Sequence, residues 1–329
     1  MAKKTESVKG FLDSLRGKLR KYGEEEIERV LRLKEQESKE RGIEFDGKVN
    51  AWDFQYYHRL LLERDYQVDD EKIKQYFSLE TVTQGMLKLY EKVLGLRISE
   101  VEGVEGKVWH EEVRLFEVFD NGGDFVGHFY LDLHPRENKY SHAAAFLLQP
   151  GQQLEDGTRQ YPVAAMVANF SKPTPTKPSL LKHNEVVTYF HELGHIMHQL
   201  CSQTRWSRFH GTRVEGDFVE APSQMLENWC WEPEILNILS AHWEKGQGHP
   251  LPEELIQALV KAKNVNAALM SLRQLFFGYY DIHLHTLPHS STDNIDTTQL
   301  WNTLREEVTL IPQTPDTWPA AAFGHIMGG

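Results

Sequence analysis

His191-Glu192-Leu-Gly-His195 lies between apolar residues, in Thr188-Tyr-Phe-His-Glu-Leu-Gly-His-Ile-Met-His198-Gln, and no proline interrupts it. On an α-helix, residues four apart share a face, so His191 and His195 can aim their rings at one metal ion. Glu192 is rotated off that axis but stays near the open position of such a metal, where a carboxylate can take a proton from bound water. Zinc suits the set, because imidazole ligands and a tetrahedral site with one open place serve hydrolysis. A third ligand is needed. Downstream, Gly211-Thr-Arg-Val-Glu215-Gly-Asp217-Phe-Val-Glu220-Ala-Pro-Ser-Gln-Met-Leu-Glu227 is crowded with carboxylates among apolar residues. Glu215, Glu220 and Glu227 each qualify for a His₂Glu set, and spacing favours Glu220 only weakly.

The same residues carry a family resemblance. His191-Glu-Leu-Gly-His195-x-Met-His198, followed by Gly211-Thr-x-Val-Glu-x-Asp-Phe-Val-Glu220-Ala-Pro-Ser-Gln-Met-Leu-Glu-Asn-Trp229, resembles the thimet oligopeptidase and neurolysin zinc peptidases, a group that includes yeast saccharolysin. Ala51-Trp-Asp-x-x-Tyr-Tyr57, Phe129-Tyr-Leu-Asp-Leu133, Leu148-Gln-Pro-Gly151, Ala164-Ala-Met-Val-Ala-Asn-Phe170 and Ala322-Phe-Gly-His-Ile-Met-Gly-Gly329 look like family segments too. The resemblance therefore reaches along most of the chain. It implies a zincin-like catalytic domain with one zinc ion, Glu220 as third ligand and Glu192 as general base. It also implies that Ala143–Leu148, with Ala144, Ala145 and Phe146, is the edge strand that holds an extended peptide. His325 matches the histidine of a glycine-rich loop that, with tyrosines just after it, grips substrate and stabilises the oxyanion. Family members are roughly twice as long. The expectation is a catalytic-half fragment, with the N-terminal helical half and the tail after Gly328-Gly329 absent.

The elements that must position these residues are read from pattern. The chain has 329 residues, 40% hydrophobic and 26% charged, which describes a globular protein with an ordinary core. A net charge of −12 argues against nucleic acid and anionic membrane surfaces as partners. Cys201 and Cys230 are the two cysteines, too few for a disulfide framework, and both read as buried free thiols. No stretch resembles a signal peptide or a membrane span, so the cytosol is the simplest location, with a mitochondrial pool as the variant. Short peptides are the expected partners, and a monomer the expected state.

The fold class expected is mainly α with a small antiparallel-type sheet, an α+β domain. Residues 5–42 read as two helices with a break at Tyr22-Gly23, ended by Gly42. Residues 50–66 form an aromatic-rich helix, read as core rather than as the wall of a channel, and 69–96 supply two more helices stopped at Gly95. From about Val108 the period changes: alternation leads to an Asp120-Asn-Gly-Gly123 turn, a partner strand at 125–133, and strands at 143–148 and 163–170. A proline-rich link at 171–178 joins the sheet to the metal helix at 184–204, and the second ligand helix is placed at 213–232. Helices at 235–243, 253–259 and 265–285 follow. These readings divide the chain into a helical region, 1–107, and a catalytic core, 108–329. His283, His285 and His289 cluster, but their Thr, Pro and Ser neighbours suggest an exposed helix end rather than a second metal site.

Metal-bound imidazoles need partners for their other ring nitrogens, usually carboxylates. Asp217 and Glu227 share a helical face with Glu220 and are the candidates, with a salt bridge to Arg213 as the other role for Asp217. His198 reads as packed or hydrogen-bonded rather than as a ligand. The function expected is a zinc metalloendopeptidase of short peptides. The alternatives are a catalytically incomplete fragment that binds zinc or peptide without turnover, and a different His₂Glu peptidase such as an aminopeptidase.

Overall fold

Thr5–Arg41 is one helix of 37 residues, α1, with no break at Tyr22-Gly23. Gly23 is a contact position instead. A Cβ there would stand 2.7 Å from Leu272 Cδ1 and 3.2 Å from Leu310 Cδ1, so its missing side chain lets neighbouring elements close on α1. Gly42 (φ 64°) does end the helix in the left-handed conformation, its amide bonding back to the last carbonyls. The structure, a computed structural model, describes residues 2–288, 295–314 and 316–327.

The chain divides into two units, Met1–Gln67 with Lys261–Gly329, and Val68–Val260. The sequence division at 107/108 falls inside the second. In the first unit, α1 packs on α2 (Asp53–Asp65) and α9 (Ala267–His285), and α10 (Thr297–Thr309) packs on α9. The apolar stripe of α1 meets Phe54, Tyr57 and Leu61 of α2 around buried Val30, Leu33 and Leu269. Of the aromatic run, Phe54 and Tyr57 are core, while Trp52 is 64% exposed. The first amides of α9 find their acceptor on α1: Glu26 takes Leu269 N–H at 2.9 Å and Ala268 N–H at 3.3 Å. Trp301 of α10, which the sequence reading did not place in a helix, stacks edge-on with Phe276 and Tyr280. His283 and His285 are exposed at the end of α9, where His285 bonds Asp281 at 2.6 Å. His289, Gly328 and Gly329 lie outside the described residues.

The second unit begins with α3 (Asp70–Ile73) and α4 (Leu79–Leu94), the latter capped by Ser78 and stopped at Gly95 (φ 69°). Its sheet contains β1 (Leu96–Glu100), β2 (Arg114–Asp120), β3 (Phe125–Asp132), β4 (Ala144–Gln149) and β7 (Val163–Val167), in the order β1-β2-β3-β7-β4. A two-stranded hairpin of β5 (Gln152–Gln153) and β6 (Arg159–Gln160) lies between β4 and β7 in sequence. The α+β expectation holds, but the sheet is mixed. Because β4 turns back as an edge strand and β7 fills the place between β3 and β4, β7 runs parallel to β3, pairing His128 with Val163 through Asp132 with Val167. The link from β3 to β4 is tied by buried Asp132, which accepts from Arg136 Nη1 (2.6 Å), Lys139 Nζ (2.8 Å) and Trp109 Nε1 (2.8 Å). Burial pushes its carboxyl upward, and these donors more than reverse that, holding it well below the usual carboxylate range.

The proline-rich link leads into α5 (His183–Leu200), where Val186, Tyr189, Phe190, Leu193, Ile196 and Met197 are buried; the helix packs on β3, β4 and β7, and Tyr189 and Phe190 meet α4. α6 (Glu220–Glu227) is much shorter than the expected 213–232 helix: residues 201–219 form a link that is irregular apart from a 3-10 turn at Ser207–Phe209, and another 3-10 turn follows at Asn228–Trp231. α7 (Pro233–Leu239) and α8 (Glu253–Ala262) complete the order. Cys230 is buried, whereas Cys201, at the end of α5, is exposed, contrary to the expectation for it. Among the described residues no helix is long and apolar enough to cross a membrane.

Candidate metal centre

α5 and α6 run antiparallel, and a series of contacts fixes their register. At the start of α5, His183 Nε2 lies 2.9 Å from the Cys230 carbonyl. At the midpoint, His191 Nδ1 lies 2.7 Å from Glu227 Oε1. Gly194 then faces Ser223, and His195 faces Glu220. Partner numbers fall along α6 as they rise along α5. The helix is also braced from α4, where Tyr90 Oη donates to the Phe190 carbonyl at 3.0 Å and Tyr189 Oη meets Thr83 Oγ1 at 3.0 Å. Glu185 accepts the Lys182 amide at 2.8 Å, closing the first turn of α5.

The outcome is a convergence of three side chains. Glu220 Oε2 lies 3.2 Å from His191 Nε2 and 3.2 Å from His195 Nε2. The two imidazole rings are 4.8 Å apart and nearly perpendicular, at 87°. All three ligand-type atoms fall within 4.8 Å of one another, a group of residue types able to hold a metal. Two ligands each about 2.0–2.1 Å from a tetrahedral zinc lie about 3.3 Å apart. The histidine–carboxylate separations match that edge, so the donor set fits such an ion.

Two of the three are held from behind, while His195 Nδ1 is buried without a hydrogen-bond partner among the described residues. Glu220 stands at the first position of α6, where the helix end favours a carboxylate, and Ser223 Oγ donates to its Oε2 at 2.9 Å. Pro222 occupies the first turn, where its missing amide costs nothing. The hydrogen bond to Glu227, opposed by burial, pushes the His191 ring's pKa upward. Burial pushes that of His195 downward. Glu192 is 9% exposed. Burial raises its carboxyl pKa, with Glu220 adding to the rise, while His191 and the Ala145 main-chain amide pull the other way. That last contact ties Glu192 to β4.

Known proteins share this arrangement's sequence. The model of Peptidase family M3 matches residues 1–329. The chain belongs to peptidase family M3. It is 40% identical to the thimet-like oligopeptidase of Dictyostelium discoideum over all of this chain and 49% of that protein. It is 43% identical to saccharolysin of Saccharomyces cerevisiae over 99% of this chain and 46% of that protein. Oligopeptidase A of Salmonella typhimurium is 36% identical over all of this chain and 47% of its own length. The chain spans about half the length of the curated relatives it matches. M3 is a metallopeptidase family, in keeping with the His-His-Glu group.

In this M3 chain the structure brings His191, Glu192, His195, Glu220 and Glu227 together, and places Asp217 in the exposed link ahead of α6. The ring nitrogen of His191 is met by Glu227. Ala144, Ala145 and Phe146 lie on β4, an edge of the sheet, and Phe146 lines a 360 Å³ pocket with Trp109 and Tyr140. His325 belongs to the first unit, in the turn Gly324–Ile326. His198 is packed, its Nδ1 buried without a hydrogen bond among the described residues. Sequence reasoning missed Gly194, Ser223, His183 and the Ala145 amide. Small residues within both ligand segments were the available sign of the first two.

Proposed function

We propose that this chain is the catalytic part of a zinc endopeptidase that hydrolyses internal bonds of short peptides. The observation that carries the reading is the convergence of His191 Nε2, His195 Nε2 and Glu220 Oε2, with 3.2 Å from the carboxylate to each ring. These three residues would hold the ion, and Glu227 would fix the orientation and tautomer of His191. Zinc, when bound, supplies Lewis acidity toward the peptide carbonyl and a water acidified to near neutrality.

The rest is done by the chain. Glu192 is the general base: its raised pKa brings it closer to the range in which a carboxylate both accepts and returns a proton. It takes the water's proton on an Oε atom and passes it to the leaving amine. β4 offers an unpaired main-chain edge to an extended peptide, which gives affinity with little demand on sequence. Phe146 and the pocket beside it receive one of the peptide's side chains. His325 contributes to substrate binding from the glycine-rich terminal segment. We place the activity in the cytosol, with a monomer as the working state.

The test is zinc content alongside cleavage of a quenched fluorescent peptide of about 10 residues, comparing the chain with Glu192→Gln. One equivalent of zinc with cleavage abolished by the substitution supports the reading. Zinc without cleavage in the unaltered chain leaves a binding fragment, and absence of zinc removes the ligand assignment.

A further inference from the structure

The two ligand helices are joined by residues 201–219, and this link has an unusual anchor. His210 is 0% exposed, yet neither ring nitrogen makes a hydrogen bond among the described residues beyond a loose approach to the Gln199 main chain. Buried imidazoles ordinarily pair both nitrogens, so an unpaired one is held for its shape or its place. The titratable groups facing it are Arg159 from the β5–β6 hairpin, Arg213 from the link itself and His198 from α5. Burial above all, with these neighbours adding to it, pushes the ring's pKa downward.

The shape is matched on the other side by a glycine. A Cβ on Gly151 would stand 2.8 Å from His210 Cε1, 3.1 Å from its Nδ1 and 2.9 Å from Arg159 Nη2. The following residue, Gly211 (φ 58°), presses on α5 in the same way, since a Cβ there would lie 2.9 Å from Gln199 Cα. The link is then stitched at several points around the ring. Arg159 Nη2 donates to the Ser202 carbonyl at 2.8 Å, the Gln153 amide donates to the Arg205 carbonyl at 3.0 Å, and the Gly211 amide donates to Ser202 Oγ at 2.9 Å. Gln199 Nε2 reaches Thr212 Oγ1 at 3.2 Å.

We propose that His210 is a positioning residue for Glu220: its ring is a wedge between Gly151, Arg159 and α5 that sets the course of residues 201–219 and so delivers Glu220 to the two histidines. α6 is short and begins at Glu220 itself, so where the link ends decides where the carboxylate stands. The inference rests on the reading of Glu220 as a ligand.

The test uses the whole chain, stripped of metal and titrated with zinc against a chelator, and with cobalt(II) for its visible spectrum. Glu220→Ala sets the reference for loss of the carboxylate. His210→Ala and Gly151→Ala, which remove the wedge and crowd it respectively, should each weaken zinc binding about tenfold and move the cobalt spectrum toward that of Glu220→Ala. His210→Leu, which fills the space with a group that cannot titrate, should restore both. If His210→Ala fails to fold, Gly151→Ala carries the test alone. Native affinity and spectrum in the wedge variants, while Glu220→Ala is altered, would overturn the inference. His210→Leu behaving like His210→Ala would overturn the wedge as its cause. An unaltered Glu220→Ala would sink the ligand reading and the inference with it.

Discussion

Gly194, one residue before His195, lets α6 lie close against α5: a Cβ added to it would stand 2.9 Å from Ser223 Cα. The obstacle is backbone, which cannot rotate aside. Gly194→Ala should therefore shift α6 and draw Glu220 away from the histidines. Helix propensity alone would favour alanine by about 1 kcal/mol. Overpacking of this kind costs about 1–3 kcal/mol and should win. The expected outcome is a chain about tenfold weaker in zinc binding, read by chelator competition. Unchanged affinity would show that α6 can move without consequence for the metal.

Glu192→Gln separates chemistry from binding. Glutamine keeps an oxygen to accept the Ala145 amide but cannot act as a base. Peptide cleavage should fall by about 10²–10⁴ with zinc content unchanged. A parallel loss of zinc would mean that Glu192 holds the metal or its helix rather than the proton.

Glu227 touches His191 at Nδ1, opposite the nitrogen that faces Glu220. Glu227→Ala should weaken zinc about 10–100-fold while leaving the fold intact. Circular dichroism and a zinc titration on the same sample check it. Native affinity would assign the pair to packing of α5 on α6.

His183 gives the second unit a dependence on pH. Burial lowers its pKa, and the bond to the Cys230 carbonyl only partly offsets this. The folded ring is thus neutral at a pH where the unfolded one, with pKa near 6.5, begins to charge. Stability from this group is fully present above about 6.5 and lost as pH falls toward the lower folded value. Urea unfolding of the metal-free chain from pH 8 to 5 should show this fall, and His183→Gln should flatten it. An equally steep fall in the variant would place the effect on other groups.

The sequence was most informative where one residue type has one use. Gly42 and Gly95 stop helices because a left-handed residue is needed there, and both positions were read correctly. His191 and His195 follow directly from helical geometry. Gly23 misled, because a glycine that breaks a helix and one that admits a neighbour look alike without the neighbour. β1 was not read as a strand, because Leu96-Arg-Ile-Ser-Glu100 is short and follows α4 with Gly95 alone between. The length of α6 was overestimated for a related reason: Val214, Phe218 and Val219 suit a helical stripe, yet Gly211 and the anchors on residues 201–213 hold that segment in irregular form. The parallel β3–β7 pair was not legible, since strand order depends on where β4 turns back, and alternation carries no record of direction.

That strand order has a kinetic corollary. β2 and β3 close as a local hairpin, whereas β7 must enter between β3 and β4 after the chain has already passed that place. Such non-local pairing is slow compared with hairpin closure, because the entropy of a longer loop is lost before contacts repay it. α5 follows β7 in sequence and packs on it, so on this order His191, His195 and Glu220 would converge only once β7 is seated. Pulse-labelled hydrogen exchange during refolding should protect the Phe116 and Phe129 amides before those of Ala164 and Met166, and equal timing would refute this order. On this view a metal ion would be no template for the sheet; it would be captured by a chain whose slow strand pairing is already complete.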